Sequence, residues 1–327
     1  MIAVLFLILF LIIVGYICIN LLYIRTNDYK NDHLPYRKFN SSISSNLKFV
    51  NFGSTYALYA FDGYKDLQLD AFNFSLPSES LEIDRVLLHK YSDKIAHDAV
   101  VVFCLAACVS YYRYKFVVDK SSYYGFLGKN EIPCYSFTDY LKYHFPLCGK
   151  RIKKVFRIFI DKSKNNSIYS GPYITEEQSQ KNMKSVAECW ISLFRLKDMK
   201  QADKSEDNEE NLQYNIEVLH SMFDFCLEKG WHPIVVIPPF SASLNNYFGE
   251  DFIEHSMNRL IKGAIGNKDI PVLNYRTSKE FQNQISFFED GGFKLNKCGS
   301  MKFLKILMKE LSSHGYILNN STIGKRI

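Results

Sequence analysis

The sequence predicts an α/β protein: a three-layer α/β/α sandwich with a mostly parallel sheet, an α-rich insertion and one N-terminal transmembrane helix. Three observations predict it. Continuous apolar runs at Ala99–Leu105 and His232–Pro239 have the composition of strands buried on both faces. Segments with helical spacing of apolar residues alternate with such runs, the pattern of parallel strands joined by helices. Residues Met1 to Ile24 carry no charged side chain and are dominated by Leu, Ile, Val and Phe. That length suits a helix crossing a bilayer, which takes about 20 apolar residues.

In chain order, residues 1–25 are expected as the anchor. A cleaved signal peptide is the rival, but its apolar core is usually shorter and ends in a small-residue site, which Ile17–Ile24 lacks. Residues 26–46 are polar, include Asn40–Asn46, and read as a linker. Residues 47–327 form the α/β domain. Its first strand, Phe49–Phe52, runs into Gly53-Ser54. A second short strand is expected at Ala71–Ser75, and Pro77-Ser78 opens a helix through Ile83, Val86, Leu87 and Tyr91. The strand at Ala99–Leu105 follows.

Residues about 110–210 are less regular and read as the insertion. Val186–Leu196 looks helical, and the acidic run Ser205–Glu210 reads as a mobile loop. Tyr111, Tyr112, Tyr114, Tyr123 and Tyr124 either pack this insertion or offer faces for sugar stacking. The α/β pattern then resumes. A helix carries Leu212, Ile216, Leu219, Phe223 and Cys226 and stops at Gly230. A strand spans His232–Pro239, a helix Phe252–Ile261 and a short strand Ile270–Leu273. The last helix carries Leu304, Leu307, Met308 and Leu311 and ends at Gly315.

The net charge of +6 is modest and spread out. Its densest basic run, Lys150-Arg151-Ile152-Lys153-Lys154, reads as a solvated helix face or a contact for acidic lipid headgroups or an anionic glycan. No nucleic-acid motif is present. The eight cysteines include no Cys-x-x-Cys pair, and Cys104, Cys189 and Cys226 read as core residues. No His/Cys cluster has metal-ligand spacing, and no cofactor is implied.

The candidate chemistry begins at Gly53-Ser54. A glycine lets the chain turn sharply at the end of a strand and present the next side chain there. Serine in that place is a nucleophile in need of a base. The order Gly53-Ser54, then Asn73 in Phe72–Ser78, then Asp290-Gly291-Gly292-Phe293-Lys294-Leu295-Asn296-Lys297-Cys298-Gly299 resembles the SGNH/GDSL hydrolase superfamily. More narrowly it is similar to membrane-anchored DltD-like proteins of bacterial cell-surface glycan pathways. The resemblance implies a sandwich of SGNH, flavodoxin-like, type. It implies Ser54 as nucleophile, Asp290 as the acid, and Gly53, Thr55, Asn73, Ser75 and Asn296 around the oxyanion and substrate.

The base is where the sequence departs. Phe293 stands three residues after Asp290, and alignment on Leu295-Asn296 puts Lys294 at the histidine place instead. Lysine acts as a base only when burial lowers its pKa by several units. His97 and His232 lie at the wrong ends of strands, and His255 sits on a predicted helix beyond Pro238-Pro239. Two readings therefore stand. One is an acyl esterase or acyltransferase acting on cell-surface polysaccharide through Ser54. The other is a catalytically inactive relative that binds glycan or a membrane-bound biosynthesis protein. Lys and Arg follow the anchor and none precedes it, which taken alone favours a cytoplasmic domain. Long domains translocate despite such charge, and the resemblance implies an extracytoplasmic one.

Overall fold

The computed structural model describes residues 2–64, 66–67, 69–148 and 174–316. The basic run at 150–154 lies outside them. The chain forms two compact units. One joins Met1–Ser42 to Val118–Ser170, and the other joins Ile43–Val117 to Gly171–Ile327.

In the first unit, α1 (Ile2–Ile24) is long and apolar enough to cross a membrane, as expected. The stretch expected as a linker holds two short helices, α2 (Asn27–Asp32) and α3 (Leu34–Arg37). Thr26 starts α2 by accepting the Tyr29 N–H, which satisfies a donor the helix cannot bond itself. Buried Tyr36 meets Tyr123 edge to face at 6.0 Å.

The second unit carries β1 (Leu47–Phe52), α4 (Thr55–Ala60), β2 (Ala71–Asn73), α5 (Leu81–Lys90) and β3 (Ile95–Cys104). The intervening helix α6 (Phe137–His144) belongs to the first unit. The second unit continues with α7 (Glu176–Phe194), α8 (Glu206–Glu228) and β4 (His232–Ile237). It ends with α9 (Glu250–Ile253), a π-helical turn at Glu254–Asn258, α10 (Arg259–Ile265), β5 (Val272–Asn274) and α11 (Lys297–Ser313).

All five strands are parallel, in the order β2-β1-β3-β4-β5. The apolar runs form the inner strands, and Phe49, Val50, Phe52, Val101, Val102, Phe103, Val235 and Val236 are each 0–1% exposed. Phe52 stacks on Phe74 at 5.0 Å and on Phe103 at 5.9 Å. Burying each such side chain stabilises the fold by about 1.5–3 kcal/mol.

Three expectations change. The acidic run at 205–210 is the first turn of α8, not a loop. Glu206, Asp207 and Glu209 sit at the positive end of the helix dipole, where acidic side chains stabilise. The helix expected after Pro77-Ser78 begins only at Leu81, because Ser78 takes a left-handed φ of 52° and Leu76–Glu79 forms a turn. Glu79 Oε2 closes that turn by accepting the Leu76 N–H at 2.6 Å. Cys189 is exposed rather than in the core. The buried side of α7 runs through Ser179, Met183 and Ala187, and Cys189 lies two residues off that stripe, on the far face.

Candidate functional site

β1 delivers Gly53 and Ser54 beside the end of β3. Gly53 has φ of 137°, and a Cβ there would lie 2.6 Å from the Cys104 carbonyl oxygen and 2.9 Å from Ala57 Cβ. Only glycine lets the two strand ends approach this closely. The Gly53 N–H donates to Asp84 Oδ1 at 3.1 Å. Asp84 projects from α5 into the interior and is 2% exposed. Burial raises its carboxyl to about 8, against the lowering effect of the Gly53 N–H. Beside it, burial pushes the Tyr56 phenol well above its ordinary value, with Cys104 and Asp84 adding to the effect.

Ser54 is the N-cap residue of α4, and its Oγ accepts the Glu79 N–H at 3.1 Å. Thr55 Oγ1 accepts the Ser78 N–H at 3.2 Å. The two hydroxyls thus hold the 76–80 turn against the end of β1. Asn73 and Ser75 belong to a buried network. Asn51 Nδ2 donates to Asn73 Oδ1 at 2.9 Å and to Ser75 Oγ at 2.8 Å, and Tyr64 donates to Asn51 Oδ1 at 2.7 Å. Asn73 Nδ2 donates in turn to the Leu58 carbonyl. These groups pin β2 and α4 to β1, and Ser75 is wholly buried.

The loop before α11 is built around Asp290. Its Oδ1 accepts the N–H groups of Gly292, Phe293 and Lys294 at 2.9, 3.1 and 3.1 Å. Oδ2 is buried without a hydrogen-bond partner. Burial raises the Asp290 carboxyl despite those three donors. Helix α7 covers this loop. Ser179 Oγ donates to the Gly291 carbonyl at 2.6 Å, and Cβ atoms at Gly291 and Gly292 would collide with Ser179 and Met183. Phe293 meets Trp190 at 5.9 Å between ring centroids. Lys294 Nζ lies 5.6 Å from the centre of the Tyr59 ring on α4, a cation–π contact. Asn296 caps α11 by accepting the Gly299 N–H at 3.0 Å, and its Nδ2 donates to the Ser286 carbonyl. A Cβ at Gly299 would lie 2.3 Å from the Phe287 carbonyl. The Leu-Asn and glycine of this loop are therefore accounted for by capping and close approach.

The arrangement brings Ser54, Thr55 and Gly53 together with Asp84 and Glu79. It places Lys294 against α4 one turn beyond Ser54. No hydrogen bond among the described residues joins Ser54 to Asp290 or Lys294, and none joins it to a histidine. His255 Nε2 pairs with Glu209 Oε1 at 2.5 Å, His97 with Asp98 at 2.9 Å, and His232 faces the Tyr316 ring. Tyr111, Tyr114 and Tyr123 are buried, which leaves their faces to packing.

Sequence reasoning missed Asp84, Glu79 and Asn51. The signal for Asp84 was present, since it shares the buried stripe of α5 with Leu81, Leu87 and Leu88. A carboxylate on an apolar stripe marks a buried acid. A surface cleft of about 430 Å³ lies elsewhere, between α8 and the α9–α10 segment, lined in part by His255, Arg259 and Lys262. Its cations are already paired, Arg259 and His255 with Glu209 and Lys262 with Glu254. None of Ser54, Asp290 or Lys294 lines it. Among the described residues no group of three or more His, Cys, Asp or Glu could hold a metal ion. No protein-family model matches the chain, and no curated protein matches it significantly.

Proposed function

We propose that the chain is a membrane-anchored SGNH-like protein that binds a cell-surface glycan without hydrolysing it. The observation that carries this reading is how the late loop uses its acid. Asp290 spends Oδ1 on three backbone donors, and Phe293 packs against Trp190 where a histidine would orient toward serine. A serine hydroxyl lacking a base stays a weak nucleophile. Ser54 Oγ instead accepts the Glu79 N–H. The Gly53 N–H, a natural oxyanion donor, is spent on Asp84.

The strand order supports a three-layer sandwich. The chain steps one way along the sheet from β1 to β2 and the other way from β2 through β5. Right-handed crossovers then put α4 on one face and α5, α8 and α10 on the other. The reversal lies between β1 and β3, where open α/β sheets bind their ligands at the strands' carboxyl ends. Ser54 stands at that point and is partly exposed. The helix α7, within the expected insertion, is a cover over the loop that carries Asp290.

The glycan reading is tested by titrating cell-envelope polysaccharide into the full chain in lipid nanodiscs. Saturable binding that Ser54→Trp weakens is the expected result, and no binding by the folded wild type contradicts it. The reading places the domain on the extracytoplasmic side. A membrane-impermeant maleimide added to intact cells should then label the exposed Cys298. The second reading, an esterase or acyltransferase with Ser54 as nucleophile, rests on the retained serine at the strand end.

A further inference from the structure

We infer that residues 137–148 form an interfacial foot that seats in the same bilayer leaflet that α1 enters. This rests on α1 being a membrane anchor. With a rise of about 1.5 Å per residue, Tyr16 lies about 21 Å and Asn20 about 27 Å along α1 from Ile2, both within the ~30 Å hydrocarbon thickness. At those levels the helix is met by protein. The Phe145 ring approaches Tyr16 at 6.2 Å between centroids, and Asn20 Oδ1 accepts the Leu147 N–H at 3.0 Å. The large apolar side chains from Ile2 to Ile13 are 49–70% exposed, whereas Asn20 is 2% and Tyr23 0% exposed.

The foot is built for a dry setting. Non-helical backbone survives at membrane depth only when its polar groups are satisfied by protein. The Phe145 N–H donates to the Leu141 carbonyl and the Cys148 N–H to the Phe145 carbonyl, each at 2.8 Å. Pro146 has no N–H, and the Leu147 N–H has Asn20. Every donor from 145 to 148 is therefore used. A polar Asn20 inside a spanning helix costs free energy unless paired, and here its Nδ2 also bonds the Tyr16 carbonyl at 2.9 Å.

Directly before this segment, α6 leaves Phe137 62% and Tyr140 38% exposed, with their rings stacked at 6.3 Å. Phe145, just past the end of α6, carries the ring contact to Tyr16 of α1. Lys142 and His144 in the last turn of α6 suit the headgroup layer. Tyr140 suits the interface, where its apolar ring and its polar hydroxyl are both accommodated.

The test uses the full chain in liposomes. Phe137→Trp adds an emitter at an exposed position, and the unsubstituted protein gives the background of Trp190 and Trp231. Lipids brominated near the headgroup should quench the added emission more than lipids brominated near the chain ends. Added emission insensitive to both kinds of bromolipid overturns the inference while leaving the anchor intact. Release of the protein by alkaline carbonate overturns the anchor and the foot together.

Discussion

Gly53→Ala should destabilise the α/β unit more than Gly266→Ala, although both glycines have positive φ. At Gly53 the cost has two parts. A backbone conformation closed to ordinary residues costs about 1–3 kcal/mol. The added Cβ lies 2.6 Å from the Cys104 carbonyl oxygen and 2.9 Å from Ala57 Cβ. Cys104 is fixed by its pairing with Val236, so the strand cannot withdraw freely, and overpacking of this kind costs about 1–3 kcal/mol. The stiffer unfolded chain returns about 0.4–1 kcal/mol, leaving a net loss of about 1–6 kcal/mol. At Gly266, φ is 59° and nothing lies within 4 Å of an added Cβ. Its ψ of −121° lies outside the left-handed helical well, so the backbone cost of about 1–3 kcal/mol applies here too, and only the overpacking cost is absent. Both tryptophans, Trp190 and Trp231, belong to this unit, so thermal unfolding followed by their fluorescence reports on it directly. The midpoint of Gly53→Ala should fall by roughly 10 °C, given about 2–4 °C per kcal/mol for a domain of this size. Equal midpoints for the two variants would refute the close-approach argument.

Two pH predictions follow from acids whose titration the fold shifts, buried Asp84 and half-buried Glu209. Asp84 holds its proton up to about 8 in the folded protein, chiefly through burial, whereas the unfolded chain releases it near about 4. Between those values the folded state binds a proton that the unfolded state lacks, so this carboxyl lowers stability as pH rises through the window. Asp84→Asn should remove that slope while keeping an oxygen for the Gly53 N–H, and parallel stability–pH curves for the two proteins contradict the assignment. Glu209 behaves oppositely. Burial works to raise it, but hydrogen bonds from Arg259 and His255 outweigh burial and hold it below its ordinary value. Its contribution is present above the unfolded pKa and is lost as pH falls through the lower folded one. Glu209→Gln should therefore cost up to about 1 kcal/mol at neutral pH, as partly exposed pairs do, and nothing in acid. A cost in urea titrations that persists at low pH counts against the pairing.

The sheet was legible because strands buried on both faces need unbroken apolar runs, and β3 and β4 have them. Helix α8 began earlier than expected because its acidic first turn looks like solvent-seeking loop in sequence, while the helix dipole and the Glu209 pairings decide its structure. Cys189 was misplaced because an apolar neighbourhood does not say which side of a helix faces inward. Leu295-Asn296 and Gly299 stand at the entry to α11, which the sequence expects as the last helix. What those residues do there was hidden, since the cap on α11 and the approach of Phe287 depend on contacts distant in sequence. The covering of Gly291-Gly292 by α7 joins residues more than a hundred positions apart, and no local pattern announces it. Asp84 illustrates the reverse case, a legible anomaly on an apolar stripe whose partner, Gly53, only the fold supplies.

The central claim is that Ser54 marks the site without acting as a hydrolytic nucleophile. The most direct measurement is labelling of the folded, full-length protein by a fluorophosphonate probe, with Ser54→Ala as control. The account predicts no labelling that depends on Ser54, under conditions where a serine esterase reacts fully. Labelling of the wild type that disappears in Ser54→Ala would contradict it and restore the esterase reading.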